Sequence, residues 1–126
     1  MPKFNIKPFS VNGAWKGQRY KTDKYKSYEK LLLWTLPDLP IPEGPLLVVF
    51  EFGFNSDASD ADNPVKPLLD VLQKRYLFND SRVYQVVSTK VLIPREKDEY
   101  ISFEIYSYCE WQMKLIDMKF VNIYTN

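Results

Sequence analysis

The sequence predicts a single small domain of α/β (α+β) class, built on a mixed β-sheet with two main helices. Three observations carry this. A chain of 126 residues has room for one sizeable core but not for two. Residues 22–36 and 64–76 favour helices, the second with apolar side chains at clear helical spacing. Residues 4–9, 46–55, 83–93 and 100–109 have the character of strands, which sets the order β, α, β, α, β, β.

Taken in order, residues 4–9 predict a short first strand, and Ser10 to Gln18, with Gly13 and Gly17, a flexible basic loop. Thr22 is placed to cap a helix that reaches Leu36, with Tyr25, Tyr28 and the run Leu31-Leu32-Leu33-Trp34 as its apolar side. Pro37, Pro40, Pro42 and Pro45 forbid continuation and predict a stiff surface connection. Leu46, Val48, Phe50, Phe52 and Phe54 alternate with polar or small residues from the middle of their run onward, the mark of a half-buried strand. After a polar turn at 56–59, Pro64 is expected at the first helical position, where its missing N–H costs nothing. Val65, Leu68, Leu69, Leu72 and Tyr76 then define an amphipathic helix, with Pro67 still inside the first turn. A turn at Asn79-Asp80-Ser81 leads to a strand over Val83–Ile93, a turn over Pro94–Asp98 and a strand over Tyr100–Cys109. These last two strands are expected to pair as an antiparallel hairpin. The stretch Trp111 to Tyr124 reads equally as strand or as irregular packing, and the chain contains no internal repeat.

Composition removes whole chemistries. With 45% hydrophobic and 16% aromatic residues the chain is globular and not disordered. It has no histidine and one cysteine, Cys109, so a Ser-His-Asp triad, a Cys-His pair and a Cys/His zinc site are all impossible within it. No internal disulfide can form, which fits a reducing compartment. An enzyme made from this chain works with carboxylates, lysines, hydroxyls or a metal held by oxygen. The net charge of +1 conceals a division. Residues 1–37 carry eight basic against two acidic side chains, residues 38–80 carry three against eight, and the remainder balances at six of each. A basic segment suited to anions thus precedes an acidic one suited to a cation, although an ordinary patchy surface has the same arithmetic.

The acidic segment concentrates the chemistry. Asp60 and Asp62 stand two apart where a loop enters a helix. Lys66 stands four from both Asp62 and Asp70, on one helical face. Asp80 lies past the far end of that helix, and only the fold can return it to Asp60. Converging aspartates without histidine describe a site for a hard cation, Mg²⁺ or Mn²⁺, with remaining positions filled by water and substrate phosphate. Phosphodiester hydrolysis is the reaction such an ion serves, by lowering the pKa of a water and screening charge on phosphate oxygens, with Lys66 beside the scissile group. The same Asp-x-Asp-Asn-Pro stretch is also a good turn and helix-capping sequence, and Asp62 to Lys66 an ordinary surface pair.

Asp60-x-Asp62-Asn63-x-x-Lys66, the following Leu68-Leu69-Asp70-x-Leu72, and Asn79-Asp80-Ser81-x-Val83 with a strand ending near Lys90 resemble the RusA family of Holliday junction resolvases. Upstream, Ser10 to Thr22 is similar to the basic N-terminal segment of many members, so the resemblance spans roughly residues 8–105. It implies a single RusA-like endonuclease domain over 1–126. It further implies that Asp60, Asp62 and Asp80 bind Mg²⁺, with Mn²⁺ as substitute, that Lys66 is the catalytic lysine, and that the Asp80 turn returns to the Asp60 loop. Two positions depart from the family: Asn79 stands where many members have a first acid, and Ser59 where some have a basic residue.

The resemblance also implies a homodimer, since a four-way junction is resolved by two symmetry-related cuts. Lys16, Arg19, Lys21, Lys24 and Lys90 are then candidates for junction phosphates, with Lys26 a weaker one and Trp15 or Tyr20 candidates for stacking on unpaired bases. The expected function is a Mg²⁺-dependent, structure-selective endodeoxyribonuclease that resolves Holliday junctions in recombination and repair. The alternatives are a looser nuclease for other branched DNA, a non-catalytic branched-DNA or single-stranded-DNA binding module, and a purely structural acidic cluster. The N-terminus lacks the apolar run of a signal peptide, so the expected location is the cytoplasm of a bacterial cell, with a phage origin left open.

Overall fold

A computed structural model describes the backbone of residues 1–10, 15–16 and 20–125, and the side chains of these except 15, 16, 20 and 119–125. Its elements are β1 (Lys3–Phe4), β2 (Trp15–Lys16), β3 (Tyr20–Lys21), α1 (Asp23–Thr35), β4 (Leu46–Phe54), α2 (Val65–Tyr76), β5 (Val83–Leu92), β6 (Tyr100–Ser107) and α3 (Tyr108–Thr125). Short helical turns at Asp80–Arg82 and Glu96–Asp98 precede β5 and β6. The architecture is α+β, a mixed four-stranded sheet of order β1-β6-β4-β5, with β2 and β3 forming a separate antiparallel pair.

Strand β4 sits in the middle, apolar along one whole face and at Leu47 and Val49 on the other. Leu46, Val48, Phe50, Phe52 and Phe54 face the helices and belong to the main core, while Leu47 on the other side is fully buried as well. It pairs parallel with β5, from Leu46↔Val83 to Phe54↔Leu92, and antiparallel with β6, from Leu46↔Ser107 to Gly53↔Tyr100. The expected β5–β6 hairpin does not form, since β4 lies between these strands. β5 carries Gln85, Ser88, Thr89 and Lys90 among its apolar residues, a composition that suits an edge and not the centre of a sheet. The first strand is only two residues long, against the six that the sequence predicts.

Helix α1 starts as the sequence predicts: the Thr22 hydroxyl accepts the Tyr25 N–H at 3.2 Å. Tyr28, Leu32 and Leu36 turn inward to the core around β4, together with Leu68, Val71 and Leu72 of α2 and Ile101 and Phe103 of β6, while Tyr25 is buried against Phe9, Tyr28 and the Pro67 carbonyl. Leu31, Leu33 and Trp34 are exposed, so the run assigned to the apolar side is split, and one residue in four serves the core. Helix α2 begins at Val65 with Pro64 as its cap, one residue later than the spacing suggests. The stretch after β6 is a helix. Glu110, Gln112, Met113, Lys114 and Leu115 are strong helix formers, and Trp111 stacks on Tyr106 with ring centroids 5.4 Å apart.

The proline-rich connection is strapped to the end of α2. Arg75 Nη2 donates to the Leu36 carbonyl at 2.9 Å and to Asp38 at 2.7 Å, and the Tyr76 hydroxyl donates to the Pro37 carbonyl at 2.8 Å. Arg82 donates to the carbonyls of Gly44 and Pro42. No helix among the described residues is long and apolar enough to cross a membrane.

Candidate active site

The chain leaves β4 at Phe54 and enters α2 at Val65, and the loop between them carries the acidic motif. Four attachments hold this loop. The Asn55 N–H donates to Glu99 Oε2 at 2.9 Å, and Asn55 Nδ2 donates to the Pro94 carbonyl at 3.0 Å. Lys90 Nζ donates to the carbonyls of Asp57 and Ser59, both at 2.9 Å. Ser88 Oγ donates to the Ala61 carbonyl at 2.7 Å. Ser88 and Lys90 are two apart on β5 and share a face, so this strand, though an edge, serves as the bed on which the loop lies.

Within the loop, the Asp62 N–H donates to Asp60 Oδ1 at 2.8 Å, which fixes the two acids in a tight turn. Both carboxylates are exposed, and the Val65 N–H donates to the Asp62 carbonyl at 3.1 Å as the helix begins. One turn on, Lys66 is exposed and its Nζ stands 3.3 Å from Asp70 Oδ2. Two aspartates thus share one tight turn just before α2, and Lys66 lies in the first turn of that helix, paired with Asp70 and not with Asp62. A polar cavity of about 500 Å³ adjoins Asp60, lined also by Lys7, Asn55, Ser59, Asn63 and Glu99 among others.

Asp80 is placed differently. It opens the turn before β5, where the Asn79 side chain accepts the Ser81 N–H at 2.9 Å. The strands are parallel, so this turn lies beside the start of β4, whereas the acidic loop lies over β5 near Ser88. Val83 and Ser88 are separated along the strand by roughly 17 Å. Among the described residues no three acidic side chains group closely enough to hold a metal ion, so Asp80 does not complete a cluster with Asp60 and Asp62 within one chain.

The donor set of Asp60 and Asp62 does fit a hard cation. It consists of oxygen alone, it is exposed, and Mg²⁺ is commonly held by one or two carboxylates with water and substrate phosphate in the other positions.

The basic residues fall into distinct surroundings. Lys24 is exposed on α1. Lys21 pairs with Glu29 at 2.8 Å, and Lys74 of α2 takes the other Glu29 oxygen at 2.9 Å. Partial burial pushes the Glu29 carboxyl upward, but the hydrogen bonds from the two ammonium groups outweigh it and hold the group below its ordinary range. Lys90 spends two of its three N–H donors on the acidic loop. Arg19 and the side chains of Trp15, Lys16 and Tyr20 lie outside the described residues.

Sequence reasoning missed Glu99. It is 6% exposed, with one oxygen on the Asn55 N–H and the other buried without a hydrogen bond, 3.7 Å from Lys7 Nζ. Lys7 itself donates to Glu96 at 2.8 Å, and that bond raises the lysine above its ordinary value while lowering the exposed Glu96 carboxyl. Nothing local marks Glu99, which stands 44 residues from its partner.

A family model described as "Endodeoxyribonuclease RusA" matches residues 6–99, a span that holds β4, the acidic loop, α2, β5 and Glu99. No curated protein matches the chain.

Proposed function

Because the chain belongs to the RusA family of endodeoxyribonucleases, we propose that it is a divalent-metal-dependent endonuclease that resolves four-way DNA junctions by paired nicks. The observation that carries this reading is the anchored loop from Asn55 to Asn63, which presents two exposed carboxylates just ahead of Lys66 in the chain and within the matched span. Asp60 and Asp62 hold the ion, Mg²⁺ or Mn²⁺. Bound there, it supplies activation of the attacking water and neutralisation of the phosphate oxygens.

The protein's own groups do the rest. Lys90, Ser88 and Glu99 keep the loop from following substrate motion, which preserves the spacing of the two carboxylates during attack. The Lys66 ammonium faces the scissile phosphate and offsets charge that grows on its oxygens, and Asp70 steadies it from one turn away. Asp80 is assigned as the third essential carboxylate on the family resemblance alone. Lys16, Arg19, Lys21 and Lys24 neutralise junction phosphates, so affinity falls steeply with salt. Two copies act as a homodimer, because symmetric cuts need two equivalent sites. The whole chain works as one RusA-like endonuclease domain in the cytoplasm, in recombination and repair.

The test is incubation of a labelled mobile four-way junction and a linear duplex of equal length with the protein in Mg²⁺ and in EDTA. The reading requires paired nicks in the junction, in Mg²⁺ only. Equal cutting of the duplex removes junction selectivity, and binding without nicking removes the enzyme.

A further inference from the structure

The outer face of α1 is unused by the catalytic loop. With Tyr25, Tyr28, Leu32 and Leu36 turned inward, Lys26, Lys30 and Trp34 fall one turn apart along the opposite side. Trp34 is 90% exposed, and Leu31 and Leu33 flank it, also exposed. Ser27 and Glu29 border this open face, which α1 alone forms. Glu29 is already occupied by Lys21 and Lys74, so it does not neutralise its neighbours. Lys26 and Lys30 have no ion-pair partner among the described residues. The face therefore joins two cations that stand outside the ion pairs, with Asp23 at its N-terminal end, to an aromatic ring open to solvent.

We propose that this face of α1 binds an unpaired DNA strand, with Lys26 and Lys30 on neighbouring phosphates and the Trp34 indole stacked on a base. This rests on the reading of the chain as a nuclease for branched DNA. Charge complementarity selects a polyanion, and the cations stand one helical turn, about 6 Å, apart, a separation comparable to that of neighbouring phosphates on an extended strand. The exposed indole selects a strand whose bases are free, because a duplex offers no open base face along its length. Branched substrates carry such bases at the branch point. α1 also packs beside α2, with Tyr25 against Pro67 and Leu36 against Arg75, so the two helices run in the same direction and this face lies one helix away from Lys66.

The experiment measures binding of labelled oligo-dT and of a blunt duplex to the full chain by fluorescence anisotropy in EDTA, across a salt series. Working without metal separates this proposal from the nuclease reading, since binding is read whether or not any junction is cut. Wild type is expected to prefer oligo-dT. Trp34→Ala weakens oligo-dT binding about tenfold and Trp34→Phe restores most of it, as stacking requires. Lys26→Ala with Lys30→Ala reduces the slope of log affinity against log salt by about 1.4, the value for two single-strand phosphates. Thermal melts of each variant confirm that it is folded. Unchanged oligo-dT affinity in folded Trp34→Ala overturns the proposal, as does an unchanged salt slope in the double variant. Preferential binding of an acidic, aromatic peptide over oligo-dT overturns it in favour of a protein partner.

Discussion

Replacing Lys90 by Met removes the ammonium but keeps the apolar stem, and the consequence depends on what the ammonium holds. It donates to two loop carbonyls, at 2.9 Å each, between β4 and the acidic motif. A hydrogen bond from a charged donor contributes about 1.5–3 kcal/mol. The carbonyls regain water once the loop lifts, and the Asp57 contact is exposed, so roughly 2 kcal/mol for the pair is the reasonable sum. That corresponds to a factor of about 30 in the equilibrium for opening the loop. Ser88 and Glu99 still hold the two ends, so the strands and helices stay in place and global stability changes little. Amide hydrogen exchange in the DNA-free protein reads the effect directly. The Ser59, Asp62 and Val65 amides, all bonded within this segment, should exchange faster by about one to one and a half orders of magnitude in Lys90→Met, with the core of β4 unaffected. Junction nicking should slow in parallel. If loop exchange is unchanged and the variant differs only in the salt dependence of DNA binding, Lys90 is a phosphate contact and does not anchor the loop.

Leu77 ends α2 in the left-handed region at φ 57°, and it is 88% exposed, so its side chain returns little for the strain. Leu77→Gly should stabilise the fold by about 1 kcal/mol, seen as a rise of a few degrees in the melting midpoint. Gly53 has no room for a methyl group, because the buried Tyr100 ring occupies the position a Cβ would take. Gly53→Ala should cost about 1–3 kcal/mol in denaturant unfolding, since the ring and the β4–β6 pairing have to yield. Glu29 is held below its ordinary value of 4.5 in the folded state, so its contribution is present above that pH and is lost as pH falls through the folded value. Glu29→Gln should therefore be less stable than wild type at neutral pH and converge with it in acid, as followed by urea unfolding from neutral to acidic pH.

What was legible in the sequence was what local spacing determines. The Thr22 cap, the alternation of β4 and the inward face of α2 each depend on neighbours within a few residues, and so does the tight turn that joins Asp60 to Asp62. The order of strands depends on contacts between segments far apart in the chain. Leu47 shows its burial only when β5 and β6 are known to flank β4, and without that knowledge sequential neighbours look like partners. Trp34 follows three leucines and reads as core until the helix is docked through Tyr25, Tyr28 and Leu32. Glu99 and Lys90 reach the acidic loop across 31 or more residues, a relation that no window of sequence contains. Asp80 marks the converse: its resemblance to a catalytic position is plain in sequence, while one chain does not bring it beside Asp60.

The central claim is that the Asp60–Asp62 loop is where DNA is cut. Its most direct test is single-turnover nicking of a four-way junction at saturating Mg²⁺ by wild type and by Asp62→Asn, with junction binding measured alongside. The substitution keeps the shape of the turn, since position 62 contributes only its backbone N–H to the hydrogen bond with Asp60, but it removes one carboxylate charge. The variant is expected to bind the junction at least as tightly as wild type and to cut it about a hundredfold more slowly or worse, the scale on which loss of a transition-state electrostatic contact is felt. Nicking at the wild-type rate by Asp62→Asn would contradict the claim.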